Sequence, residues 1–248
     1  GTHRLLQQDV LFPDLGLLVI DSNRLSIHRE RCTDCGKCTE RCTSGALAWI
    51  GKEVDSSDII HEILQDLIYY QKSGGGITLS GGEPLQQKDF ALDILQKCRE
   101  HRIHTAVETN LLTDINTLEA FLPWVDLWMC DFKMADDTLH RKWTGHSNVP
   151  IIKNLEFLAK QAVPMTIRTP VIPNVNDSEE AIESICRFIR QLPNQPAYEL
   201  LGFHSLGFVK FENLGMKNPL SNSAFLKKGQ LQKLNEILIR YNLNNNKK

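Results

Sequence analysis

From residue 55 onward, apolar residues recur in two alternating rhythms, one at helical spacing and one in short β-branched runs. Asp55-Ser56-Ser57 can cap a helix whose apolar positions Ile59, Ile60, Ile63, Leu64, Leu67 and Ile68 share a face, ending near Ser73-Gly74-Gly75-Gly76. The run Ile77-Thr78-Leu79-Ser80 then predicts a short buried strand. A helix over about 88–101 leads to the strand His104–Glu108, and one over about 114–122 leads to Val125–Asp131. Asp136–Trp143 and Ile151–Gln161 read as helices before the strand Met165–Arg168. A helix over about 178–191 precedes the strand Tyr198–Phe203, and a last helix over about 223–241 runs into the polar tail Asn244–Lys248. Five strands alternating with helices imply a parallel α/β sheet, which right-handed crossovers curl into an open or closed barrel. Residues 1–30 alternate weakly, with Leu17-Leu18-Val19-Ile20 the one clear strand, and read as a connector.

Composition narrows the class. With 248 residues, 42% hydrophobic and 23% charged, the chain can bury a large core in one α/β domain with a small appendage. A net charge of −2, spread over 28 basic and 30 acidic residues, provides no basic stripe for nucleic acid and no polybasic membrane patch. No run of about 18 apolar residues reads as a membrane span, and the start lacks the basic-then-apolar order of a signal peptide, so the expected compartment is the cytoplasm. The chain opens on Gly1-Thr2-His3 rather than Met.

Cysteine spacing adds the first chemistry. Cys32, Cys35, Cys38 and Cys42 form C-x2-C-x2-C-x3-C, the pattern in which a tight loop wraps three thiolates around one iron–sulfur cube and sends the fourth elsewhere. Structural zinc sites more often pair two C-x2-C knuckles a dozen or more residues apart, so compactness favours iron–sulfur over zinc. Thr43 stands where bacterial ferredoxin motifs have proline, a turn former and not a ligand. Cys98, Cys130 and Cys186 are scattered in helix or strand patterns and read as core residues.

In βα barrels the chemistry gathers at the C-terminal ends of the strands. Read to their ends, the five strands give Gly81-Gly82-Glu83, Glu108-Thr109-Asn110, Asp131-Phe132-Lys133, Arg168 and His204. Singly, each has an ordinary role: Asp131 with Lys133 as a surface ion pair, Arg168 bound to a neighbouring carboxylate, His204 as a hydrogen-bonding histidine. Together they suit a small zwitterionic ligand carrying a sugar and a base. Gly81 and Gly82 would let the backbone lie against it, and Pro84 would hold Glu83 in extended geometry.

These residues carry a resemblance. Thr78-Leu79-Ser80-Gly81-Gly82-Glu83-Pro84, Val107-Glu108-Thr109-Asn110, Asp131-Phe132-Lys133, Arg168 within Ile167–Pro173, and Leu200–Gly207 together resemble the glycyl-radical-enzyme activating proteins of the radical S-adenosylmethionine (SAM) superfamily, over about residues 32–215. The resemblance implies a partial (β/α)6 TIM-like barrel over residues 53–248, preceded by residues 1–52 as a connector and a ferredoxin-like insert carrying a [4Fe-4S] cluster on Cys32, Cys35, Cys38 and Cys42. It implies SAM across the barrel mouth, with Gly81, Gly82 and Glu83 at the methionine amino end, Lys133 and Arg168 toward its carboxylate or ribose, and His204 near the ribose or adenosyl group. Glu108 and Thr109 with Met129 and Asp131 look like the family's site where a monovalent cation can bind, Glu108 standing where the family often has Asp. The implied reaction cleaves SAM reductively to a 5′-deoxyadenosyl radical that takes hydrogen from a glycine of a partner glycyl radical enzyme, with reduced flavodoxin or ferredoxin as electron donor. The family's SAM-contacting cluster sits on a C-x3-C-x2-C loop, and no such triad occurs in these 248 residues. The expectation is therefore a first strand and triad upstream of Gly1, with this stretch inactive alone and its catalytic residues unassigned. A non-catalytic iron–sulfur electron carrier or SAM-binding module is the alternative, and a zinc-stapled barrel enzyme a further one.

Overall fold

The period-two pattern of Met165-Thr166-Ile167-Arg168-Thr169-Pro170-Val171 is realised as a strand in which every second residue is buried. In this computed structural model, which describes residues 18–21, 24–214, 216–221, 223 and 225–243, that strand lies inside a five-stranded parallel sheet. In chain order the elements are β1 (Leu18–Asp21), β2 (Arg24–Ile27), α1 (Lys37–Glu40), α2 (Ser56–Gln65), α3 (Leu67–Ser73), β3 (Gly76–Leu79), α4 (Lys88–Glu100), β4 (His104–Thr109) and α5 (Ile115–Phe121). There follow β5 (Leu127–Asp131), α6 (Asp137–Thr144), α7 (Val149–Lys160), β6 (Met165–Val171), α8 (Glu179–Gln191), β7 (Ala197–Gly202), α9 (Phe208–Asn213) and α10 (Gln230–Arg240). Strands β3 to β7 pair in sequence order, so each parallel neighbour is reached through helical crossover.

The described residues fall into two compact units, those within Gly1–Glu53 and Ser205–Ser221, and those within Val54–His204 and Asn222–Lys248. The second holds the sheet. One face of that sheet presents Val107, Trp128, Cys130, Ile167, Tyr198 and Leu200 to Leu95, Leu118, Leu155, Leu158, Ile182 and Ile185 of the helices, all in one buried cluster. Residues one step along each strand, Glu108, Met129 and Arg168, lie on the other face and stay partly accessible. Pro170 is tolerated in β6 because it falls beyond Asp131↔Arg168, the last register pair with β5.

Local chemistry sets the helix ends. Asp55, Asp114, Asp136 and Ser178 cap α2, α5, α6 and α8, each accepting a backbone N–H with its side chain. The single helix expected from Asp55 to Ser73 is broken at Asp66, which leaves helical angles (φ −98°, ψ 7°) while its carbonyl accepts from the N–H of Tyr69 and Tyr70 to begin α3. The last helix starts at Gln230 rather than near 223, because Gly229 at φ +80° interrupts helical backbone. Periodicity also missed α1, α9 and the antiparallel partner β2 of β1, whose register runs from Leu18↔Ile27 to Asp21↔Arg24. The expectations for residues 1–17 and for the tail 244–248 lie outside the described residues. No helix among the described residues is long and apolar enough to cross a membrane.

Leu158 is fully buried on α7 against the sheet. Leu158→Ala should lower unfolding free energy by about 2–5 kcal/mol. Urea denaturation followed by circular dichroism measures it, and a loss under about 1 kcal/mol would contradict this placement of the core.

Candidate active site

The turn after β3 is built around a carboxylate. Gly81 takes φ +119°, a conformation closed to residues with a side chain, and Glu83 is extended (φ −128°, ψ 109°) ahead of Pro84, which opens a 3-10 turn. Glu83 Oε1 accepts from Leu85 N at 3.3 Å and from Thr109 Oγ1 at 2.7 Å, and Oε2 accepts from Asn110 N at 2.8 Å. A carboxylate has about four lone-pair positions, so roughly one stays open for an outside donor. A β-carbon placed on Gly81 or Gly82 would meet nothing within 4 Å, so the backbone edge beside that carboxylate borders open space.

That space is a cavity of about 190 Å³ lined by Ser80, Gly81, Gly82, Glu83, Glu108, Thr109, Asn110, Asp131 and Lys133. Seven predicted residues thus converge: Gly81, Gly82, Glu83, Glu108, Thr109, Asp131 and Lys133. Lys133 Nζ lies 2.8 Å from Asp131 Oδ2, leaving ammonium donors for another acceptor. Arg168 is not part of the lining. It is tied across the sheet, Nη1 to Glu108 Oε1 at 3.1 Å and Nε to Glu199 Oε2 at 3.2 Å, while Ser80 Oγ donates to Glu108 Oε2 at 2.7 Å. These pairs hold Glu108 in place at the rim while Nη2 keeps its own donors. With Glu108 34% and Glu199 48% exposed, each pair contributes only about 0–1 kcal/mol, and its value is geometric. His204 follows β7 as an exposed residue outside the lining. Fully buried Cys130 has its thiol pushed well up by desolvation, reinforced by the charges of Asp131 and Glu83, and is inert there.

A larger groove of about 350 Å³ runs between the loop after β6 and the start of α10, bordered by Pro173, Asn174, Asp177, Phe225, Lys227 and Lys228. Its lysines, Lys227, Lys228 and Lys233, are exposed, and Asp177 already accepts from Asn174 N and Gln230 Nε2.

Three buried asparagines hold the rim from the helix side, and sequence reading missed them. Asn148 Nδ2 donates to Met134 O and Ala135 O, and Asn154 Nδ2 to Leu111 O and Thr113 O. Asn176 Nδ2 donates to Lys133 O and Pro170 O, and its Oδ1 accepts from Ile172 N. Their signal was an amide set among apolar helix or loop positions, where a polar side chain needs partners in reach.

The cysteine loop belongs to the other unit. Asp34 (φ +51°) and Gly36 (φ +72°) bend it, and a β-carbon on Gly36 would come within 2.8 Å of Trp49 Nε1. All four thiols are free; Cys35 is exposed and Cys32, Cys38 and Cys42 are half-buried. Lys37 N–H and the Thr33 hydroxyl lower the Cys35 thiol, and the Ser44 hydroxyl with Leu47 N–H lowers Cys42. Such donors favour the thiolate that ligates iron or zinc, so the donor chemistry fits a metal centre. The sulfurs are not gathered around one point: among the described residues no group of three or more His, Cys, Asp or Glu is placed to hold a metal ion.

The family model described as "Radical SAM superfamily" matches residues 34–188. The "Isethionate sulfite-lyase activating enzyme" of Oleidesulfovibrio alaskensis is 41% identical over 203 residues, spanning 81% of this chain and 65% of that protein. The "(2S)-3-sulfopropanediol dehydratase activating enzyme" of Klebsiella oxytoca is 38% identical over 79% of this chain and 63% of its own length. The "(2S)-3-sulfopropanediol sulfolyase activating enzyme" of Bilophila wadsworthia is 35% identical over 78% and 76%. The chain therefore spans somewhat less than two thirds of the first two of these relatives. Among solved structures, a domain of pyruvate-formate lyase-activating enzyme from Bacteroides vulgatus superposes with a TM-score of 0.58 at 31% identity, covering 68% of this chain and 96% of that one.

Thiol reactivity tests the electrostatics of the cysteines. In the metal-free chain, iodoacetamide should label Cys35 and Cys42 first, with rates rising at lower pH than for a free thiol because their pKa values are lowered. Burial pushes Cys98 up to about 11 and Cys186 up to about 12, so these two and Cys130 should react only on unfolding. Peptide mass spectrometry across pH 6–9 reads the order, and equal labelling of all seven would contradict it.

Proposed function

The chain belongs to the radical SAM superfamily, among its glycyl-radical-enzyme activating proteins, and from that premise we propose that its strand-end cavity binds SAM for the activation of a partner glycyl radical enzyme. The observation that carries this reading is the convergence of Gly81, Gly82, Glu83, Glu108, Thr109, Asp131 and Lys133 on one small polar cavity at the ends of three adjacent parallel strands. An α-amino acid needs an acceptor for its ammonium and a donor for its carboxylate. The open position on Glu83 supplies the first and Lys133 the second, with the uncovered backbone edge at Gly81-Gly82 between them. In the reaction this implies, SAM is cleaved reductively, and the 5′-deoxyadenosyl radical takes hydrogen from a glycine of the partner. A bound [4Fe-4S] cluster supplies the electron for that cleavage. Cys32, Cys35, Cys38 and Cys42 fit an accessory cluster in a ferredoxin-like insert, reduced by flavodoxin or ferredoxin. The SAM-contacting triad is expected in a C-x3-C-x2-C segment not found within these residues. A monovalent cation beside Glu108, Thr109, Met129 and Asp131 belongs to the same reading.

Calorimetry with SAM tests the pocket. Glu83→Ala and Lys133→Ala should each weaken binding by about tenfold or more, each removing a charge-assisted contact; unchanged affinity in both would reject the pocket. A longer chain carrying a C-x3-C-x2-C segment, loaded with its clusters and reduced, should release 5′-deoxyadenosine and give a glycine-centred radical signal on a glycyl radical enzyme. Cluster-loaded protein that leaves SAM intact would reject the activity.

A further inference from the structure

We infer that Asn154, which does not line the cavity and whose amide hydrogen-bonds to Leu111 and Thr113 outside that lining, is a positioning residue that sets the orientation of Glu83, and through it the affinity of the site. The inference rests on the SAM reading for its consequence, but not for its geometry. Asn154 lies on α7, is 4% exposed, and donates both amide hydrogens to main-chain carbonyls of the loop after β4, Leu111 O at 2.9 Å and Thr113 O at 2.8 Å. The bond to Leu111 O is buried, where an unpaired acceptor is costly, so the amide fixes where the loop lies.

The loop it holds does not relax into that shape unaided. Leu111 is fully buried at φ +57°, a conformation that Gly or Asn adopts readily and Leu does not, and a strained residue persists only where its surroundings over-determine it. Three hydrogen bonds do so: Asn154 grips the Leu111 carbonyl, Thr109 Oγ1 accepts the Leu111 N–H at 3.0 Å, and Asn110 Oδ1 accepts the Leu112 N–H at 2.8 Å. The same bend aims Thr109 Oγ1 at Glu83 Oε1 (2.7 Å) and Asn110 N at Glu83 Oε2 (2.8 Å). One hydroxyl thus accepts from Leu111 and donates to Glu83. A rotation that frees Leu111 from αL withdraws its N–H from Thr109 Oγ1 and shifts the adjoining Asn110, loosening the aim of both donors on the carboxylate. Glu83 would then keep only the long contact from Leu85 N, and its open lone pair would no longer face the cavity in one direction.

The test compares Asn154→Leu, similar in size but without donors, with Leu158→Ala, which removes core contacts on the same helix and leaves both amide hydrogen bonds to the loop in place. Hydrogen–deuterium exchange of peptides covering residues 109–113 reads loop order with no ligand present. Exchange there should speed up in Asn154→Leu and not in Leu158→Ala at matched stability. With SAM as the probe, Asn154→Leu should bind about tenfold more weakly, the loss of about one charge-assisted hydrogen bond, and Leu158→Ala within about twofold of the parent. Combining Asn154→Leu with Thr109→Val should bind no more weakly than the worse single variant, since both act through one bend. Where Asn154→Leu does not fold, Asn154→Ser, too short to reach either carbonyl, takes its place in both measurements. Exchange that is unchanged in the asparagine variant, or equally fast in Leu158→Ala, overturns the inference. Faster exchange in a chain whose parent does not bind SAM sustains the positioning role and rejects the SAM reading.

Discussion

The carboxylate of Glu83 is the joint between the first two strands of the sheet. It caps the turn that follows β3 and receives the hydroxyl and the next backbone N–H from the end of β4, so two loops share one anion. A carboxylate so placed cannot swing, because each of its oxygens already holds a donor from the chain. What it keeps to offer lies toward the cavity. Replacing it would release two strand ends at once, which is why the geometry of the site depends on this group more than on any single ion pair.

Behind that joint the two faces of the sheet divide the labour. On the helix-covered face apolar side chains give cohesion, and the buried asparagines Asn148, Asn154 and Asn176 spend their amide hydrogens on main-chain carbonyls. On the open face Ser80, Glu108, Arg168 and Glu199 run as a polar chain from the end of β3 to β7, passing over β5. Arg168 is held by carboxylates on both sides, and Lys133 is the cation that lines the cavity itself.

Much of this was legible in the residues because strand alternation and strand-end chemistry are local. The order of strands, the converging Gly81, Gly82, Glu83, Glu108, Thr109, Asp131 and Lys133, and the burial of Cys98, Cys130 and Cys186 all follow from short-range pattern. Tertiary partnership was not legible. The pairing of Arg168 with Glu199, thirty-one residues on, gives no local signal, and Asn154 reads as one polar residue in a helix until the carbonyls of a loop forty-three and forty-one residues earlier arrive beside it. The break at Asp66 and the late start of α10 turn on single backbone angles that periodicity averages away.

The central claim is that the strand-end cavity beside Glu83 holds the amino-acid moiety of SAM. Crystals of the chain grown with SAM test it most directly. The account predicts ligand density over Gly81-Gly82, with the ammonium on the open side of the Glu83 carboxylate and the carboxylate within reach of Lys133. A ligand seated in the groove beside α10, or a strand-end cavity holding only solvent at saturating SAM, would contradict it.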